Sequence, residues 1–209
     1  MTGVVNVPSR RVRMAAADRR EAILRCAMES FATRGYHGTS IDDIASAAGI
    51  SKALIYEHFA SKQALHAEVI SAQADALFAR MARAADPGLE PEERLRGGID
   101  AFLSFVEENR EAWRALFRDA ADPHLGEVVE RLQREATGAI AEMMVPGASE
   151  SLHEEVEIVA QMLSGAVQAL ANWWYEHQER TRAELVDRAM AFAWLGLERL
   201  SGASASPAP

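Results

Sequence analysis

One cysteine in 209 residues has nothing to pair with inside the chain, so a disulfide framework is excluded. Cys26 reads instead as a small core or boundary residue on a helix. No apolar run approaches the roughly 20 residues that a membrane span requires, so no membrane contact is expected. The opening residues, MTGVVNVPSRRVRMAA, lack the apolar stretch and cleavage site of an export signal, and a reduced, cytoplasmic setting is the expectation. There is no glycine-rich phosphate loop, no nucleophile elbow, no dinucleotide fingerprint and no cluster of metal-ligand residues; neither catalysis nor a cofactor is expected. His153 and Glu157, four apart on a helix, have no third ligand to complete a metal site. No stretch alternates apolar and polar residues with a period of two, and no segment repeats, which excludes sheet and solenoid architectures.

Basic residues are also in deficit: 22 Lys and Arg against 31 Asp and Glu give a net charge of −9. Taken whole, that balance argues against nucleic acid. Its distribution argues the other way. Residues 1–62 carry nine Lys/Arg against six Asp/Glu, whereas residues 63–209 carry thirteen against twenty-five. A mildly basic head on an acidic body can present one end to phosphate while the rest is repelled.

What is present is helical periodicity throughout, with 49% apolar and 25% charged residues, ordinary for a globular chain able to bury a substantial core. Residues 1–17, with Arg10, Arg11 and Arg13, read as a disordered basic arm able to reach phosphates or a minor groove. Asp18 with Glu21 resembles a capping box opening a helix through Arg34. Thr39 to Lys62, TSIDDIASAAGISKALIYEHFASK, organises the rest. Thr39 or Ser40 can cap a short helix with Asp42 and Asp43 in its first turn. Gly49 supplies the positive φ that leaves this helix sharply. Ser51 can cap a second helix whose inward stripe is Ile55 and Phe59. The spacing of Ala45, Gly49 and Ile55 fits a helix-turn-helix whose second helix is free to enter a major groove.

The run from Gly35 to Leu65 resembles the DNA-binding domain of the TetR family of bacterial transcriptional regulators. The likeness is carried by Gly35-Tyr36, Thr39-Ser40, Ala45, Gly49, Ser51-Lys52 and the series Tyr56, Phe59, Lys62, Leu65. It implies an all-α chain of about nine helices. Residues 18–63 would form the DNA-binding domain, residues 64–200 an effector-binding and dimerisation domain, and residues 201–209 a disordered tail. It implies a homodimer on a palindromic operator in double-stranded DNA, most simply a repressor released by a ligand. The alternative is a helical dimeric module for a small molecule or protein without DNA function. Carried over position by position, Lys52, Ala53 and Tyr56 on the outward face of the second helix, with Ser51 at its start, would meet DNA. Lys52 can donate to guanine or to phosphate, and Ala53 can touch a thymine methyl. Thr39, Ser40, His58 and Lys62 would position phosphates. Two departures from the pattern bear on the operator sequence. Glu57 places an acid near phosphate, where it either accepts from a cytosine amino group or points to solvent. Leu54 stands where a short polar residue would reach phosphate.

In the C-terminal two thirds, Phe102, Phe105, Trp113, Phe117, Met143, Met162 and Trp173 are candidate walls of a pocket for an apolar or aromatic effector. The last two helices are apolar on two faces and so are expected to be buried from two sides. Val167, Leu170, Trp174, Val186, Met190 and Trp194 are the expected dimer interface, in a four-helix arrangement. One long helix, from Lys62 to about Ala84, is expected to be the only element touching both lobes.

Overall fold

The computed structural model describes residues 16–113, 125–145 and 150–203. Among them every regular element is a helix: α1 (Ala16–Arg34), α2 (Ile41–Ala48), α3 (Lys52–His58), α4 (Lys62–Ala84), α5 (Pro91–Glu108), the single turn α6 (Arg110–Trp113), α7 (Gly126–Met144), α8 (Glu150–Glu176) and α9 (Arg182–Ala203). This is the all-α class expected. The basic arm up to residue 15, Phe117 and the last six residues lie outside the described part. Two helix ends differ from expectation. α1 starts two residues early, so Asp18 lies in its first turn rather than capping it. α9 runs on through Ser201, Gly202 and Ala203, since no proline stops the chain there.

The head is α1 to α3 with the start of α4. Ile23, Ala27 and Phe31 of α1 meet Ile41, Ile44 and Ala45 of α2, Ile55 of α3, Phe59, and Leu65, Val69 and Ile70 of α4 in one buried cluster. Leu125, immediately before α7, is fully buried in the same cluster, and Val128 and Leu132 of α7 pack against it. α4 is therefore not the only link between the lobes, as its length had suggested. The first half of α7 leans on the head, and the second half belongs to the C-terminal lobe. That lobe is built from α5, α7, α8 and α9 around Leu95, Leu103, Trp113, Ile140, Leu163, Trp174 and Met190.

α4, α5 and α9 are also fastened by charge. The Arg80 guanidinium donates to both carboxylate oxygens of Glu108, at 2.7 Å each, and to Ser104 Oγ at 2.8 Å. Arg182 donates to Asp100, Ser104 and Glu107 at 2.9, 3.0 and 2.9 Å. The hydrogen bond from Arg80, then that from Ser104, hold the Glu108 carboxyl down at about 2. A depressed folded-state pKa contributes stability above the unfolded value, about 4.3 for Glu, and loses it as pH falls through the folded value. Glu108→Gln should therefore lower the melting temperature at pH 7, with the gap to wild type closing as pH falls from about 4.5 toward 2. A gap that stays constant to pH 2 would assign the effect to packing instead of charge.

Candidate nucleic-acid interface and ligand cavity

The helix-turn-helix is set by local capping. Ser40, extended at φ −105°, is the N-cap of α2; its Oγ accepts from Asp43 N–H at 3.1 Å, and the Asp43 carboxylate accepts from Ser40 N–H at 2.8 Å. The Ser40 hydroxyl also donates to that carboxylate at 2.6 Å, and this bond first, then the one from Ser40 N–H, lowers the Asp43 pKa. Gly49 closes α2 at φ 65°, in the left-handed region, and the next N–H, of Ile50, donates to Ala45 O at 3.0 Å. That satisfies the carbonyls at the end of α2 and turns the chain within two residues. Ser51 then caps α3, its Oγ accepting from Leu54 N–H at 3.3 Å. Ile55 and Phe59 are buried beneath, so Lys52, Ala53, Tyr56 and Glu57 are left exposed on the opposite face.

Four of the expected DNA-facing side chains, Ser51, Lys52, Ala53 and Tyr56, thus stand together on the exposed end of the head, with Ser40 exposed at the start of α2. Lys52 Nζ lies 2.8 Å from Asp42 Oδ2 across the turn, and this hydrogen bond holds the ammonium pKa above the usual lysine range. Lys62, at the first position of α4, sits with Nζ 4.1 Å from the centroid of the Tyr36 ring, which stacks in turn on buried His66. His58 is half-buried beside Phe59. Thr39 must be corrected. It is only 2% exposed, and its hydroxyl lies 3.0 Å from Ser30 O and 2.9 Å from Gly35 O. Its side chain ties the end of α1 to the following turn and is not available to phosphate.

The C-terminal lobe holds a cavity of ≈ 200 Å³ between α4, α5, α7 and α8. Phe102, Trp113 and Met143 line it, as expected from sequence, together with Ile70, Leu77, Phe78, Leu132, Ile140 and Leu163. Its polar wall is Gln133, Ser164 and Gln168; no ionisable side chain lines it among the described residues. Sequence had given no sign of these three, because a lone Ser or Gln on an amphipathic helix looks like a solvated position. Three expected wall residues lie elsewhere. Phe105 is buried next door, against Leu77, Met81 and Met143, without reaching the cavity. Met162 and Trp173 are exposed on the outer face of α8.

The expected dimer residues also change places. Val167, Trp174, Val186 and Met190 are all buried in the lobe's own core. Leu170 and Trp194 are half-buried against that core. The uncovered apolar face is instead Ile158, Met162 and Trp173 of α8 with Phe192 of α9, at 50, 63, 42 and 63% exposure. A groove runs between the two helices there, bordered by Ala166, Leu170 and Phe192. Among the described residues there is no group of three or more His, Cys, Asp or Glu placed to hold a metal ion, and the His153 side chain lies outside them. No helix among them is long and apolar enough to cross a membrane.

A helix-turn-helix head with an exposed second helix, carried on a helical lobe with an apolar cavity, defines a DNA-binding regulatory protein with room for a small molecule. Comparison with known proteins gives the family. Residues 23–69 match the family described as bacterial regulatory proteins, tetR family, and residues 91–196 match the tetracyclin repressor-like C-terminal domain. A TetR-like transcriptional regulator from Rhodococcus sp. RHA1, of known crystal structure, is 31% identical with a TM-score of 0.71, over 89% of this chain and 99% of that one. The transcriptional activator FasR of Mycolicibacterium smegmatis is 27% identical over 90% of this chain and 87% of its own. The transcriptional repressor KstR2 of the same organism is 36% identical over 50% of this chain and 51% of its own. The chain belongs to the TetR family of bacterial transcriptional regulators, and it is a DNA-binding regulator of transcription.

Proposed function

We propose that this regulator works as a homodimer on a palindromic operator and leaves it when an apolar or aromatic small molecule enters the cavity. The observation that carries this is the sharing of side chains between head and cavity. Ile70 and Leu132 line the cavity and also pack into the head's core. A ligand that displaces either one moves a wall of the domain that holds α3. Two heads in a dimer must present their α3 helices about one DNA turn apart, roughly 34–36 Å, so a small tilt of each head is enough to spoil the fit. A ligand that prefers the tilted state a hundredfold contributes about 2.7 kcal/mol, within the usual range of coupling energies, and DNA must weaken ligand binding by the same factor. An aromatic and aliphatic wall with three uncharged polar groups favours an effector whose enclosed part carries no charge.

The test is selection of bound duplexes from random DNA, followed by a screen for apolar compounds that release the selected site. Equal ligand affinity with and without operator would defeat ligand release. FasR, which aligns along 90% of the chain, is named an activator, and this supports a second reading: the same dimer and site, with transcription raised by binding. A reporter placed behind the selected site gives the sign.

Lys62 supplies a further expected result. At the start of α4, half-buried with its ammonium over the Tyr36 ring, it is placed for a phosphate contact and not for a base contact. Lys62→Ala should weaken operator and bulk DNA about equally, and reduce the slope of log affinity against log salt by about one unit. Loss confined to the operator would place Lys62 on a base edge.

A further inference from the structure

α3 carries one side chain of the wrong charge for a phosphate surface. Glu57 lies two residues beyond buried Ile55, about 200° around the helix. Ala53, two residues before Ile55, lies the same angular distance the other way. Glu57 therefore stands near the middle of the outward face, with Tyr56 beside it. It is exposed and makes no hydrogen bond or ion pair among the described residues. The cation at the start of this helix, Lys52, is held by Asp42 at 2.8 Å, and Asp42 is itself 69% exposed on the same end of the head. α3, with the residue that holds its lysine, thus brings two carboxylates and one lysine, already engaged, to this surface.

A surface built only to hold phosphate would show the reverse. In a major groove a carboxylate is repelled by the acceptors O6 and N7 of guanine and O4 of thymine. It gains only from an exocyclic amino group, N4 of cytosine or N6 of adenine. Where the base pair lacks that donor, the charge is stripped of water and left unanswered, and the wrong site is rejected.

We propose that Glu57 is a specificity-determining residue, whose carboxylate accepts a hydrogen bond from the amino group of a cytosine or adenine at one position of each operator half-site. This rests on α3 entering the major groove of an operator.

The experiment uses the full chain as wild type, Glu57→Ala and Glu57→Gln, each taken through selection from random duplexes and then titrated against single-base variants of the wild-type site. Wild type should prefer cytosine or adenine at one position per half-site by roughly tenfold or more. Glu57→Ala should lose that preference and keep the others. Glu57→Gln should move a cytosine preference toward adenine, whose N6 and N7 an amide matches, or keep an adenine preference; the two results tell the amino groups apart. If Glu57→Ala binds all DNA more tightly yet selects the same base at every position, Glu57 only repels and the inference is overturned. If wild type selects no sequence at all, the operator reading fails first, and this inference fails with it. Both variants lie on the solvent face of α3, and an unchanged melting temperature confirms that each is folded.

Discussion

Phe192→Glu should give a folded monomer that no longer holds operator DNA. Phe192 is 63% exposed on α9, beside the groove that separates it from α8, and Ile158, Met162 and Trp173 continue the apolar face. In a two-fold dimer each interface residue is used twice, so one substitution buries two carboxylates against apolar surface. With ~2 kcal/mol or more lost per central contact, dimer dissociation should tighten its demand on concentration by on the order of a thousandfold. The operator loss follows from geometry, because a single head engages one half-site and forfeits the high local concentration of the second. Met190→Glu, two residues earlier, should behave differently. Met190 is 2% exposed inside the lobe's core, so the charge is buried in the monomer itself. The expected result is an unfolded or aggregated lobe, not a soluble monomer. Sedimentation and circular dichroism on the pair decide the matter: a dimeric Phe192→Glu protein would move the interface elsewhere.

The second large effect is expected at Leu125, outside the helix-turn-helix. Its side chain is fully buried in the head's core, with Val128 and Leu132 following it along α7. Truncating a leucine in such a place costs about 2–5 kcal/mol. Leu125→Ala should therefore destabilise the DNA-binding head by that amount, measurable as an earlier, separate melting step or a lower denaturation midpoint. It should also weaken the answer of DNA binding to ligand, because the α7 contact between cavity and head is loosened. A variant that melts like wild type would show that α7 merely rests on the head.

The helix-turn-helix was readable because its signals are local. Ser40, Gly49 and Ser51 act on backbone groups one to four residues away, and nothing distant can override them. Thr39 shows where this ends. A threonine at a helix start looks like a cap or a phosphate ligand, yet here its hydroxyl meets carbonyls of Ser30 and Gly35, a contact that depends on how α1 packs against the turn. The C-terminal lobe was less legible for a related reason. Periodicity shows that α8 and α9 each have two apolar faces, but it carries no label for the inner one. Val186 and Met190 were expected to face a partner; they face α5 and α8. Met162 and Trp173 were expected to face a ligand; they face out. Leu125 could not be assigned to the head at all, since some sixty residues separate it from Phe59 and only the tertiary fold brings them together.

The uncharged wall of the cavity has one more consequence, for how the regulator answers its surroundings. Charge screening leaves the burial of an apolar group against Phe102, Ile140 and Leu163 largely untouched, whereas the phosphate contacts proposed for Lys62 and its neighbours would weaken steeply as salt rises. The two halves of the proposed switch would therefore respond differently to the ionic state of the cell. Under osmotic stress the free protein would take up effector as before, yet less effector would be needed to clear the operator. The threshold of induction would drift with salt while the affinity for the inducer stayed constant.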